Sequence, residues 1–109
     1  MKWLLFVYAS TATRDDLLTD EDWQHVEWLL VQNPTAGVLI PGLGGTRKLR
    51  LRLRGRGKRS GARTIYVYVV NQETVYFLAT YAKNEQADLT PDDKRVLAQL
   101  IARIKKGRG

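Results

Sequence analysis

The spacing of apolar side chains divides the chain into seven segments. Trp3-Leu-Leu-Phe-Val-Tyr-Ala9 is a short apolar run that reads as an N-terminal strand. Thr19-Asp20-Glu21-Asp22 has the form of a capping box, and Trp23, Val26, Leu29 and Leu30 then recur at helical spacing until Asn33-Pro34 closes the helix. Gly37 to Ile40 makes a short strand before the turn Pro41-Gly42-Leu43-Gly44-Gly45. Lys48 to Arg54 alternates strictly, placing leucines on one side of a strand and four cations on the other. A Gly-rich hairpin loop, 55–61, leads to two β-branched and aromatic strands at 62–70 and 74–82. Thr90-Pro91 opens a last helix with an apolar stripe of Val96, Leu97, Leu100, Ile101 and Ile104, and Gly107 follows its end. The order β-α-β-β-β-β-α predicts an α+β fold. Its mainly antiparallel sheet has four to five strands, with an N-terminal and a C-terminal helix packed on one face. The 109 residues, without repeat or linker, read as one domain spanning 1–109.

Charge changes this picture most. The net charge of +7 is uneven: residues 1–45 carry −4, residues 46–63 carry +9 with no acid, and residues 64–109 carry +2. Half of the 18 Lys and Arg lie in that middle stretch, so the chain carries a cationic patch rather than a general basic character. The acids at 15–22 suit the positive end of the first helix. With no Cys and one His, the composition excludes disulfides, a Cys nucleophile and His/Cys zinc motifs. The opening apolar run is too short for a secretory segment or for the roughly 18 apolar residues of a membrane span. A cytoplasmic protein without membrane attachment is the expectation, and no metal or cofactor is implied.

A strand that shows Lys48, Arg50, Arg52 and Arg54 on one face spaces its cations roughly 6.5–7 Å apart, twice the rise per residue. That spacing approximates the phosphates of an extended nucleic acid strand, and arginine adds forked hydrogen bonds to phosphate. The competing reading is a solvated face balanced by acids, but Glu73 lies at a turn and Glu85 beyond the last strand. Arg63 begins the strand after the loop and Lys83 ends the next, so antiparallel pairing can bring both near the basic strand. Gly42 to Lys48 lacks the spacing of a phosphate-binding loop and leads into a strand, so it reads as a tight turn. His25 reads as a surface or core-edge histidine. Tyr66, Tyr68, Tyr76 and Tyr81 can stack bases, although strand tyrosines more often pack a sheet.

An ordered set of short motifs resembles a known family. These are Leu18-Thr-Asp-Glu-Asp22, Asn33-Pro34-x-x-Gly37, Ile40 to Arg50, Gly61-Ala-Arg-Thr-Ile-Tyr66, and Tyr81-Ala-Lys-Asn-Glu-Gln86 with Asp88-Leu-Thr-Pro91. In that order, over residues 17–102, they are similar to RelE/HigB-type toxins of type II toxin–antitoxin systems. The resemblance implies a compact RelE-like fold and an endoribonuclease that cuts mRNA on the translating ribosome, inhibiting translation and growth. It also implies a cognate antitoxin, a small protein with a DNA-binding domain encoded beside it. By position, Lys48 and Arg50 match the family's basic strand, Arg63 its phosphate-binding arginine, and Lys83 the basic residue after the last strand. The RNA-binding surface would then be centred on residues 47–63 and 83, with Arg47, Arg50, Arg52, Arg54, Arg56, Lys58 and Arg59.

Metal-independent cleavage of this kind needs alignment of the ribose 2′-OH, stabilisation of phosphorane charge, and proton transfer at both ends. Arginines meet the second need and not the third. Several family members use a Tyr or His near the C-terminus, but here that region is Ala87-Asp88-Leu89-Thr90 and no His follows. Proton transfer is therefore expected of Lys83 or Lys48, with the pKa lowered by neighbouring arginines, and Glu85 is the alternative. A non-catalytic RNA- or ribosome-binding protein would use the same strand, and a protein-interaction module would offer the face to an acidic partner.

Overall fold

The computed structural model describes residues 3–6, 17–52, 61–83 and 88–107. Strand β1 is Trp3–Phe6, helix α1 Asp20–Gln32, β2 Val38–Leu39, β3 Arg47–Arg52, β4 Gly61–Val69, β5 Thr74–Ala82 and helix α2 Pro91–Gly107. A single 3-10 turn, Val70–Gln72, joins β4 to β5. The order of elements is the one expected from the spacing of apolar residues. The sheet runs β1-β5-β4-β3-β2, antiparallel throughout except for β1, which lies parallel to β5.

The two helices start alike. The Thr19 hydroxyl accepts from the Asp22 N–H at 3.1 Å while the Thr19 N–H donates to the Asp22 carboxylate at 2.9 Å. Thr90 and Asp93 repeat that reciprocal pair at 3.0 Å each. Both satisfy N–H groups that the first turn of a helix leaves unpaired. α1 stops where Asn33 turns extended, ahead of Pro34.

The helices lie on opposite faces of the sheet, which corrects the expectation of one covered face. On one face Val26, Leu30 and Trp23 of α1 pack with Leu49, Leu51, Ala62, Tyr66 and Phe77. On the other, Leu97 and Ile101 of α2 pack with Ile65, Val67, Tyr76, Leu78 and Tyr81. The reason lies in β4 and β5, whose near-continuous apolar runs need cover on both sides. Strict alternation is confined to β3, where Leu49 and Leu51 are buried and Arg50 and Arg52 exposed.

One side chain accounts for the Asn33-Pro34-x-x-Gly37 spacing. The buried Tyr66 hydroxyl donates to the Pro34 carbonyl at 2.7 Å and accepts from the Gly37 N–H at 3.0 Å. A Cβ on Gly37 would stand 2.9 Å from the Tyr66 ring and 3.0 Å from the Lys48 carbonyl. The following turn uses left-handed backbone at Gly42, Gly44 and Gly45. Lys105, in the last turn of α2, donates to the Gly44 carbonyl at 2.6 Å, tying this turn to the helix.

Candidate nucleic-acid interface

The register of β3, β4 and β5 decides which cations meet. Arg50 pairs with Arg63 and Arg63 with Tyr81, so these three form a row across the sheet. Lys48 pairs with Ile65 and Ile65 with Ala79 in the row nearer the core. In the outer row Arg52 pairs with Gly61, whose carbonyl accepts from the Lys83 N–H at 2.9 Å. All three rows lie on the α2 side of the sheet, where Ile65, Ala79 and Tyr81 belong to the core with Leu97 and Ile101 and the exposed Arg50 and Arg52 of β3 extend past it. Gly61 stands between these groups: a Cβ there would be in ordinary van der Waals contact with the Leu51 carbonyl at 3.4 Å, the Arg63 guanidinium at 3.7 Å and the Lys83 Cβ at 4.0 Å.

Lys48, Arg50, Arg52, Arg63 and Lys83 thus share one surface. Arg50, Arg52 and Lys83 are exposed, while Lys48 and Arg63 are half-buried. Arg47 belongs to the other face, because its neighbours in the alternation are Leu49 and Leu51. Its guanidinium donates to the carbonyls of Gly37 at 2.9 Å and Thr35 at 3.4 Å, which fastens the segment before β2. Arg54, Arg56, Lys58, Arg59 and Glu85 lie outside the described residues. His25 is exposed on α1, stacked on Trp28 with ring centroids 6.3 Å apart, and α1 covers the opposite face. Among the described residues no cluster of His, Cys, Asp and Glu could hold a metal ion, and no helix is long and apolar enough to cross a membrane.

The strand tyrosines pack rather than offer rings to bases. Tyr66, Tyr76 and Tyr81 are buried, and the Tyr76 hydroxyl hydrogen-bonds the Gln72 side chain. Tyr81 reaches the cationic face through an irregularity in β5. Tyr66 pairs with Phe77 but Ile65 pairs with Ala79, which leaves Leu78 as the extra residue of a β-bulge. The bulge shifts the alternation by one, so Tyr81 faces the arginines instead of α1.

A counter-charge outside the strands stands at the rim of this surface. Asp88, just before α2, forms an ion pair with Lys48 at 3.5 Å. The N–H of Leu89, burial and Lys48 act on this carboxyl in that order, and the net effect holds it below the ordinary value of 3.8. Asp88 and Lys48 are forty residues apart in the sequence, and no local pattern announces that they meet.

A family profile described as the RelE toxin of the RelE/RelB toxin–antitoxin system matches residues 30–107. The chain belongs to the RelE toxin family. Its fold is similar to that of an arginine-substituted E. coli toxin RelE in the free state, with a TM-score of 0.51 at 12% identity over 89% of this chain and 96% of that one. It is also similar to a chain of the intact E. coli RelBE toxin–antitoxin complex, with a TM-score of 0.45 at 14% identity over 71% of this chain and 93% of that one. The profile covers every element of this RelE-family chain from the end of α1 onward, including all five cations that the register brings together.

Proposed function

We propose that this RelE-family toxin is a ribosome-dependent endoribonuclease that cuts mRNA, and that a cognate antitoxin neutralises it. The observation that carries the reading is the cross-strand surface of Lys48, Arg50, Arg52, Arg63 and Lys83. A folded chain that gathers five cations on three adjacent strands accumulates repulsion, which a polyanion relieves. In the reaction the ribose 2′-oxygen attacks the adjacent phosphorus and the 5′-oxygen leaves, giving a 2′,3′-cyclic phosphate and a 5′-hydroxyl. Arg50 and Arg63, facing each other, hold the phosphate and offset the charge of the phosphorane. A base must take the 2′-OH proton and an acid must protonate the 5′-oxygen. Lys48 and Lys83, on either side of the arginine row, take these steps, with Glu85 as the alternative. Cations around the phosphate discourage a divalent metal and suit a metal-independent reaction. The antitoxin reading rests on the family, and on the RelBE complex in which the related E. coli toxin was solved.

The test is inducible expression with and without the neighbouring antitoxin gene, with mRNA 5′ ends mapped. Growth arrest and new cleavage ends that co-expression suppresses are expected. Arrest without new ends would favour the non-catalytic RNA- or ribosome-binding reading.

A further inference from the structure

Two buried hydroxyls, those of Thr46 and Tyr81, have no hydrogen-bond partner among the described residues. Thr46 lies in the turn before β3, outside the three rows of the cationic face. Tyr81 lies in the middle row of the cationic face, with a relative exposure of 1%. Leaving a polar group buried and unpaired is costly, so a phenol in this position points to an absent partner.

The surroundings define what that partner must be. Burial pushes the Tyr81 phenol above its ordinary value of 10.0; Asp88 reinforces this and Arg63 opposes it, and to a smaller extent Asp93 raises and Arg50 lowers it. The group is therefore a neutral O–H at any physiological pH, able to donate. Its cross-strand neighbour Arg63 and the next residue in the row, Arg50, carry only donors. An acceptor that satisfies all three at once is an anion with several oxygens.

We propose that the Tyr81 hydroxyl donates a hydrogen bond to the RNA phosphate held by Arg50 and Arg63. This rests on the proposed function and adds a substrate-contacting residue to that site. The carboxylate of Asp88, paired with Lys48 at 3.5 Å, stands at the rim of the same site. An arriving phosphate competes for Lys48, displaces that pair and opens the way to the phenol. The β-bulge at Leu78 is what aims Tyr81 into the site, and bulges are over-represented next to active sites for that reason.

The experiment compares the full-length wild-type protein with Tyr81→Phe in three measurements. These are thermal unfolding, ribosome-dependent mRNA cleavage, and binding of a short 2′-O-methyl RNA that keeps the phosphates but lacks the attacking hydroxyl. The expected result is an unlowered Tm, weaker oligonucleotide binding, and kcat/KM reduced about ten- to a hundredfold, the range for a hydrogen bond to a charged group. Unchanged binding and cleavage would overturn the proposal. So would a Tm lowered by several degrees, because the hydroxyl would then have an internal partner. If the wild type cuts no message, the cleavage reading falls while the binding comparison still decides the role of Tyr81. No binding by either protein overturns both.

Discussion

Tyr66 and Tyr81 are both buried strand phenols, yet their hydroxyls are placed in opposite ways. Tyr66 is saturated, with its hydroxyl between Pro34 and Gly37, whereas Tyr81 has no partner among the described residues. Tyr66→Phe should lower stability by about 1–3 kcal/mol, since it leaves a buried N–H and carbonyl unpaired. Denaturant unfolding measures this, and a change indistinguishable from zero would contradict the assigned bonds. Both phenols are held above their ordinary 10.0, chiefly by burial. The unfolded chain therefore ionises first as the solution turns alkaline. Stability is full below pH 10 and falls as pH rises past it, toward the folded pKa values. Replacing either tyrosine with Phe should flatten that alkaline decline in a pH series of unfolding midpoints.

At the scale of elements, β3 was the most readable part of the chain and β5 the least. Strict alternation in Lys48–Arg52 fixed both its buried leucines and its exposed cations. The partners Arg63 and Lys83 were legible because hairpins of known length must bring their ends together. The side taken by Tyr81 was not, because no residue type marks the bulge at Leu78. Nor was the placement of the helices, since a strand buried on both faces does not say which helix covers which. Single substitutions Arg63→Ala, Lys48→Ala and Lys83→Ala, on strands whose pairing is backbone-made, should leave folding intact by circular dichroism. Each should reduce mRNA cleavage at least tenfold, the lower end expected for loss of a charge-assisted contact. Full toxicity in all three would rule out this surface as the site.

Across the described residues of the sheet and α1, charge is sorted by face. α1, with Asp20, Glu21, Asp22 and Glu27, covers the side away from the cations, so the acidic end of the chain does not neutralise the basic face. Among the described residues Asp88 and Asp93 stand on the cationic side, acting on Tyr81, and Asp88 restrains Lys48. Asp88→Asn should raise affinity for RNA, by up to about fivefold for a partly exposed ion pair of about 1 kcal/mol, and most visibly at low salt. Lys83→Ala should instead flatten the dependence of log affinity on log salt by about 0.7, one phosphate contact to a single strand. Titrations at several salt concentrations separate the two. Equal salt slopes for wild type and Lys83→Ala would remove Lys83 from the phosphate path.

The extra residue in β5 also bears on how such a surface tolerates insertion and deletion. With Leu78 removed, Phe77 and Ala79 would follow one another opposite Tyr66 and Ile65, and Thr80, Tyr81 and Ala82 would keep Thr64, Arg63 and Ala62 as partners. A single-codon deletion there would iron out the bulge and leave the phenol among the arginines. Straightening the strand while keeping Leu78 would instead slip each later residue by one and turn Tyr81 toward α1. The spare residue is thus slack in the strand, and the face of Tyr81 is held by its pairing with Arg63.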